Sequence, residues 1–164
     1  MAYKSCRPED FEAFVIKHEN KLYRTALAIM GNISDAEDVV QEAFLRAYEK
    51  APEFQTDNHE KAWLIRVTVN LCNSRLRSPW RKRREPLLAS YPAAEPEQHE
   101  LLEHILSLPP KYRAVIHLFY YEGYSVKEIA GLTGQKESTV RSLLTRARQK
   151  LKSVLKEDNI YESI

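Results

Sequence analysis

The fold is decided by a stretch near the end of the chain, YSVKEIAGLTGQKESTVRSLLTRARQKLK, which runs from Tyr124 to Lys152. Ser125 and Glu128 have the spacing of a capping box, in which each side chain bonds a free backbone N–H group of the other residue. Gly134 can adopt the left-handed conformation of a turn at low cost. After it, apolar residues recur at the spacing of one helix face: Val140, Leu144, Ala147 and Leu151. The stretch therefore predicts two short helices joined by a turn, a helix-turn-helix.

The outward side of the second helix carries basic and hydroxyl side chains, which suits DNA. Such a helix enters the major groove with its N-terminal residues near base edges, where arginine pairs with guanine and serine or threonine contacts several bases. Basic residues further along the helix meet phosphates more naturally. A solvated basic face is the alternative, but its coincidence with a capped helix-turn-helix favours DNA binding. The residues expected to contact DNA here are Lys127, Ser138, Thr139, Arg141, Ser142, Thr145, Arg146 and Arg148.

Upstream of this stretch, apolar residues also recur at helical spacing and predict five further helices, three before Pro79 and two between about residue 97 and Gly123. The first is expected to end at Gly31. The second is expected to begin at Ser34, whose spacing to Glu37 is that of another capping box. The third follows a loop and is expected to be capped by Asp57 or Asn58.

Prolines divide the chain into two parts. Four prolines fall within residues 79–96, and this density prevents a helix or a paired strand, which predicts a linker over 81–96. Fully extended, the linker could span about 55 Å at most. With only 4 glycines and no strict apolar and polar alternation, a β-rich fold is disfavoured. The expected fold is all-α: two small helical domains, 1–80 and 97–164, joined by a flexible linker, the second a winged-helix-like four-helix domain containing the helix-turn-helix.

The composition, 43% hydrophobic and 29% charged, is that of a chain that folds, and it excludes several classes of protein. No apolar run is long enough for a transmembrane helix and no signal pattern opens the chain, so a cytoplasmic protein is expected. Cys6 and Cys72 are far apart and the histidines are scattered, so neither a disulfide nor a metal site is expected. No nucleophile–base pair or glycine-rich phosphate loop is evident, so we expect neither an enzyme, nor a cofactor, nor a small-molecule substrate.

The first domain carries two surfaces of opposite charge. The outer face of its second helix is acidic, and such a face suits a basic protein partner better than DNA. Its third helix runs into RLRSPWRKRR at residues 75–84, where basic residues without any acid suit a phosphate backbone. Between the two surfaces lies an aromatic and polar stripe suited to the unstacked bases of a single strand: Trp63, Arg66, Asn70, Asn73 and Arg77.

Plainer roles remain open for single members of these surfaces. Trp63 could equally be partly buried core, and Asn70 and Asn73 could bond within the domain. The acidic face could serve solubility alone.

Three stretches resemble, in order, regions of bacterial RNA polymerase sigma factors of the extracytoplasmic-function (ECF) group. The region that binds core polymerase is similar to LYRTALAIMGNISDAEDVVQEAFLRAYEK at 22–50. The region that melts and recognises the minus-ten promoter element is similar to EKAWLIRVTVNLCNSRLRSPWRKR at 60–83. The region that recognises the minus-thirty-five element is similar to LPPKYRAVIHLFYYEGYSVKEIAGLTGQKESTVRSLLTRARQKLK at 108–152.

The resemblance implies roles for individual residues. One set matches the motif that docks on the clamp helices of the largest polymerase subunit: Asp35, Glu37, Asp38, Gln41, Glu42 and Leu45. A second set matches the minus-ten contacts: Phe54, Asp57, Asn58, Trp63, Arg66, Asn70, Asn73, Arg77 and Arg81. Within it, the loop from Phe54 to His59 matches the segment that captures a flipped base of the non-template strand. A third set matches the residues that contact the minus-thirty-five element: Arg141, Ser142, Thr145 and Arg146.

The implied function is that of a sigma factor, which binds core RNA polymerase and directs initiation at particular promoters. The implied partners are the clamp helices of the largest subunit, the flap of the second-largest subunit, promoter DNA and an anti-sigma factor, usually membrane-bound, that holds the sigma factor inactive until a signal arrives. Two alternatives stay open: a repressor or activator that binds a duplex operator as a dimer, and a helical adaptor that binds only proteins.

Three positions depart from the family pattern. Leu143 stands where arginine is frequent, so we expect it to widen the apolar face at the cost of one phosphate or base contact. Ser74 stands where aspartate is common. Lys136 replaces the usual capping serine, so Gln135 or Ser138 is expected to cap the second helix of the helix-turn-helix instead.

Overall fold

In a computed structural model, the protein is described over residues 8–77 and 103–157, with the side chains of 154–157 left aside. Every regular element in these ranges is helical, so the all-α prediction is confirmed. The chain divides into two compact units, Met1–Glu85 and Pro86–Ile164, and each is described by itself. In the parts described, no helix has both the length and the apolar character needed to cross a membrane.

The first unit is a bundle of three helices. A 3₁₀ turn at Pro8–Asp10 leads into α1 (Phe11–Met30), which is followed by α2 (Ile33–Lys50) and α3 (Asp57–Leu76). Each of the three helices packs on the other two. The core is formed by apolar side chains that recur at helical spacing on every helix: Phe14, Leu22 and Ala26 on α1, Val39, Ala43 and Phe44 on α2, and Leu64, Ile65 and Val69 on α3.

The turn between α1 and α2 corrects one prediction. Gly31 ends α1 as expected, and it does so in the left-handed conformation, with φ of 70°. The cap of α2 is Asn32 rather than Ser34, and the helix begins one residue before Ser34. The side-chain oxygen of Asn32 accepts a hydrogen bond from the Asp35 N–H group at 3.0 Å. Because Asn32 lies in extended backbone just before the first turn, its side chain reaches the free N–H groups that Ser34, already inside the helix, cannot cap.

The start of α3 is corrected in the same way. Thr56 caps the helix, and its hydroxyl accepts a hydrogen bond from the His59 N–H group at 3.0 Å. Asp57 and Asn58, which were expected to cap, lie within the first turn. The non-helical connection between α2 and α3 is therefore 51–56, and the second half of the predicted loop from Phe54 to His59 is helical.

The second unit builds the helix-turn-helix on a base of shorter segments. Residues 103–107 are helical and precede α4 (Pro110–Ile116), a π-helical turn at His117–Tyr121, α5 (Val126–Thr133) and α6 (Glu137–Glu157). The long helix α6 packs on both α4 and α5. The core contains Leu118 and Ile129 together with the predicted inward face of α6: Val140, Leu144, Ala147 and Leu151.

The local signals of the helix-turn-helix are confirmed. The Ser125 hydroxyl accepts from the Glu128 N–H group, and the Glu128 carboxylate accepts from the Ser125 N–H group, each at 3.1 Å. Gly134 follows α5 in the left-handed conformation, with φ of 69°. The π-helical turn at His117–Tyr121 was not predicted, because apolar spacing over so short a segment does not distinguish a π turn from an α-helix.

Candidate functional site

An acidic face runs along the outer side of α2. Glu37 and Gln41 are exposed, Asp38 and Glu42 are half-buried, and Leu45 is 60% exposed. A large apolar side chain that stays in solvent beside a row of carboxylates suits a protein partner, because it can be buried when a basic surface docks.

Asp35 does not belong to this face. Its side chain is only 5% exposed, because it lies one helical turn before the buried Val39 and points to the same side of α2. The predicted docking set is corrected accordingly: Asp35 lies beneath the acidic face and the other five members lie on it.

Arg75 of α3 reaches across to the acidic face. Its terminal nitrogens lie 3.7 Å from an Asp38 carboxylate oxygen and 3.4 Å from a Glu42 oxygen. All three side chains are at least one-third exposed, so each pair contributes at most about 1 kcal/mol to stability. In the sequence, Arg75 belongs to the basic run that is expected to meet phosphates. The fold instead sets it against two residues proposed to dock on polymerase.

The predicted stripe on α3 lies along one side of that helix. Arg66, Asn70 and Arg77 are exposed, while Trp63 and Asn73 are half-buried. Both roles weighed for Trp63 are therefore compatible with its partial burial. Arg81, which was predicted to extend the stripe, lies outside the described residues.

Phe54 is buried and packs against a member of the stripe. It is 0% exposed, and its ring packs edge-on against Trp63 with the ring centroids 5.8 Å apart. The prediction that the Phe54 side chain contacts DNA is corrected, because a fully buried ring cannot meet a base. The neighbouring residues Asp57, Asn58 and His59 at the start of α3 are exposed.

A buried polar cluster behind the start of α3 was missed. The His18 ring nitrogen bonds the Glu60 carboxylate, and both side chains are almost completely buried. Lys17 closes the cluster, with its ammonium 2.9 Å from an Asp57 oxygen and 3.4 Å from a Glu60 oxygen. Burial lowers the pKa of His18, although the bond to Glu60 opposes that shift. The hydrogen bond to Asp57 raises the pKa of Lys17.

The signal for this cluster was present in the apolar pattern. His18 stands midway between Phe14 and Leu22 on the inward face of α1, and Glu60 stands one turn before Leu64 on that of α3. Buried polar side chains need hydrogen-bond partners, so one polar residue on the inward face of each helix indicates that the two side chains meet in the core. The cluster ties α1 to the first turn of α3 and so fixes the base of the stripe.

In the second unit, the predicted DNA-contacting side chains lie on the outer side of the helix-turn-helix. Lys127 of α5 is exposed, and so are six residues of α6: Ser138, Thr139, Arg141, Ser142, Thr145 and Arg146. Arg141 is 3.6 Å from Glu137 one turn earlier, in an exposed pair that a phosphate or a base can displace. Leu143 is 6% exposed and lies in the core beside Leu144, as expected from its departure from the family pattern.

Arg148 is held by two aromatic rings. Its Nε donates a hydrogen bond to the Tyr120 hydroxyl at 2.6 Å. Its guanidinium carbon lies 5.4 Å from the centroid of the Phe119 ring and 5.5 Å from that of Tyr120. The sequence predicted Arg148 as a DNA contact but gave no sign of these partners, because the π-helical turn determines where the rings point.

Metal binding and thiol chemistry find no support in the described residues. No group of three or more His, Cys, Asp or Glu side chains there could hold a metal ion. Cys72 is buried, and burial raises the pKa of its thiol to about 12, so it remains a protonated core residue near neutral pH.

Two family models match the chain. The model described as Sigma-70 region 2 matches residues 14–82, which contain the acidic face and the stripe. The model described as Sigma-70, region 4 matches residues 98–151, which contain the helix-turn-helix.

Individual relatives agree with the two matches. The ECF RNA polymerase sigma factor SigE of Mycolicibacterium smegmatis is 36% identical over 158 residues, which cover 88% of this chain and 61% of SigE. The ECF RNA polymerase sigma factor SigW of Bacillus subtilis is 30% identical over 179 residues, which cover 94% of this chain and 95% of SigW. Among solved structures, the sigma factor RpoE in complex with the anti-sigma factor NepR from Bartonella quintana superposes with a TM-score of 0.75 at 25% identity, covering 90% of this chain and 98% of that one.

Proposed function

The chain belongs to the ECF group of RNA polymerase sigma factors, and from that premise we propose that it binds core RNA polymerase and directs it to particular promoters. The observation that carries the proposal is the presence of two different surfaces on one chain. One is an acidic face with an exposed leucine, and the other is a helix-turn-helix with an exposed row of arginine and hydroxyl side chains. A protein-docking surface and a DNA-contacting surface are what a subunit needs to place an enzyme on DNA.

The acidic face of α2 is proposed to dock on the clamp helices of the largest polymerase subunit. Asp38 and Glu42 form its centre, and Glu37 and Gln41 extend it. Complementary charge accelerates encounter and fixes the register of docking, while Leu45 supplies apolar surface that docking would bury.

The stripe on α3 is proposed to hold the opened minus-ten element. Removing a base from the stack costs a few kcal/mol, and stacking of a base on an aromatic side chain returns about 1–3 kcal/mol. Trp63 offers one such surface, and Arg66, Asn70 and Arg77 offer polar contacts to the backbone or to base edges.

The helix-turn-helix is proposed to hold the minus-thirty-five duplex. Arg141 and Ser142 near the start of α6 would reach base edges, and later residues would meet phosphates. The second unit would also meet the flap of the second-largest subunit. In the cell, the protein would act in the cytoplasm as a binding subunit rather than as a catalyst.

An anti-sigma factor is the further partner that we propose. The structure of RpoE was solved in complex with the anti-sigma factor NepR. By analogy, a partner of this kind would cover the docking surfaces of the present chain until a signal releases it.

Run-off transcription tests the proposal directly. Core polymerase is supplied with a library of promoter fragments, with and without the full-length chain, and the transcripts are sequenced. We expect a defined subset of fragments to give transcripts only when the chain is present. If initiation never depends on it, and the chain instead binds a duplex operator as a dimer without polymerase, it is a conventional repressor or activator.

A further inference from the structure

Arg148 occupies a particular place on the DNA-contacting side of α6. It follows Arg141 by seven residues, which is two helical turns or about 10 Å along the same side of the helix. Arg141 stands near the start of the helix, where base edges are reached, so Arg148 stands where the helix leaves the groove and passes the phosphate backbone.

The environment of Arg148 leaves one part of its guanidinium free. The Nε atom is occupied by the hydrogen bond to the Tyr120 hydroxyl. Among the described residues, no hydrogen bond or ion pair is found for its two terminal nitrogens. These two nitrogens lie in the plane of the guanidinium and can donate hydrogen bonds to two oxygens of one phosphate.

The rings that hold Arg148 are themselves fixed. Phe119 and Tyr120 belong to the π-helical turn at His117–Tyr121, and their rings contact each other edge to face with centroids 5.0 Å apart. The turn is closed by the buried His117 ring, which lies 3.1 Å from a Glu122 oxygen, and by the Glu122 N–H group, which donates to the His117 carbonyl at 3.0 Å. The turn therefore provides a preformed seat for the guanidinium.

We propose that Tyr120, with Phe119 beneath the guanidinium, is a positioning residue that orients Arg148 for a two-pronged contact with a DNA phosphate. The inference rests on the proposed function, since it requires the helix-turn-helix to bind duplex DNA. A free arginine loses rotamer freedom when it binds. An arginine already fixed by Tyr120 has lost that freedom before DNA arrives, so the contact forms at lower cost.

The test measures binding of the full-length chain to a short duplex of arbitrary sequence over a range of salt concentrations. Arbitrary sequence suffices, because a phosphate contact does not depend on the bases. Arg148→Ala should reduce the slope of log affinity against log salt by about 0.9, the value for one phosphate. Tyr120→Phe keeps the ring but removes the acceptor for Nε, and it should weaken binding roughly two- to ten-fold with the slope unchanged.

The decisive comparison is a double-mutant cycle. If Tyr120 acts through Arg148, Tyr120→Phe should have no effect on affinity once Arg148 is alanine. Tyr121→Phe is the matched control: it removes a hydroxyl from the adjacent, more exposed tyrosine and should leave affinity unchanged. Thermal unfolding of each variant records any structural effect separately.

Three results would overturn the inference. An unchanged slope for Arg148→Ala would show that it meets no phosphate. If Tyr120→Phe lowered duplex affinity equally with Arg148 present and with Arg148→Ala, the hydroxyl would act structurally or contact DNA directly. If Tyr120→Phe bound the duplex with full affinity, the hydroxyl would have no role in binding. Failure of the proposed function would be recognised separately, because initiation in the run-off experiment would then not require the chain. That result does not depend on the duplex-binding measurements.

Discussion

Among the residues of α6, Arg141 is the one that we expect to contribute most to sequence specificity. It is exposed near the start of the helix, and its pairing with Glu137 is weak and open to solvent. Replacing it with alanine should cost about 1–3 kcal/mol of binding to a promoter fragment and relax the preference at one base position. Competition binding against a library of single-base variants measures both effects. A uniform loss across all sequences would identify Arg141 as a phosphate contact instead.

Leu143 and Ser142 are neighbours on α6 with opposite environments. Leu143 is 6% exposed and packs in the core, whereas Ser142 is exposed on the side that is predicted to contact DNA. Leu143→Ala should lower the free energy of unfolding by about 2–5 kcal/mol, because it removes buried methyl groups and leaves a cavity. Ser142→Ala should change it by less than about 0.5 kcal/mol. Urea unfolding of the two variants makes the comparison, and similar losses would contradict the burial of Leu143.

At the scale of elements, the buried pair of His18 and Glu60 links α1 to α3. Glu60→Ala leaves the buried ring nitrogen of His18 without its acceptor and should destabilise the first unit by about 1–3 kcal/mol. Asp57→Ala removes a partner of Lys17, but this pair is exposed and should contribute at most about 1 kcal/mol. Urea unfolding distinguishes the two, and a small loss for Glu60→Ala would mean that the pair is not buried in solution.

The same pair predicts how stability depends on pH. Burial holds the pKa of His18 below its ordinary value of 6.5, so in acid the unfolded chain takes up a proton that the folded chain does not. The contribution of His18 is therefore fully present above pH 6.5 and declines as the pH falls below 6.5 toward the lower folded-state pKa. Unfolding measured between neutral pH and mild acid should show this loss, and His18→Gln should flatten the curve. A curve of the same steepness in His18→Gln would assign the dependence to other groups.

At the scale of the whole molecule, two units with separate cores should allow the two binding activities to be separated. Asp38→Lys with Glu42→Lys reverses the centre of the acidic face and should abolish capture of the largest polymerase subunit. Duplex binding by the second unit should remain. Arg141→Ala should show the opposite pattern, with full capture of polymerase and weakened DNA binding.

A matched control for the charge reversal lies on α1. Glu12→Lys with Glu19→Lys makes the same change in net charge at exposed positions outside the acidic face and should leave polymerase capture intact. Pull-down with the purified largest polymerase subunit measures how well it captures the unaltered chain, the two charge-reversed proteins and Arg141→Ala. Equal losses in the two charge-reversed proteins would show that net charge, and not the acidic face, governs docking.

The sequence by itself determined the helical class, the capping box of Ser125 and Glu128, the end of α1 at Gly31, the left-handed turn at Gly134 and the inward face of α6. These features depend on spacing within a few residues, where helix geometry and backbone hydrogen bonds leave few alternatives. For the same reason, most members of the acidic face and of the DNA-contacting side could be assigned from periodicity and family resemblance. Their roles in binding remain predictions.

Only the tertiary structure decided which of these side chains reach solvent and what holds them. It buried Phe54 and Asp35, set Arg75 against Asp38 and Glu42, paired His18 with Glu60 and seated Arg148 on Tyr120. The hydrogen bonds and ion pairs among these contacts join residues 28 or more positions apart. The burial of Phe54 and Asp35 depends instead on how the surrounding helices pack. Their physical reason is packing: helices that bury their apolar faces bring distant side chains together, and no local spacing records which ones will meet.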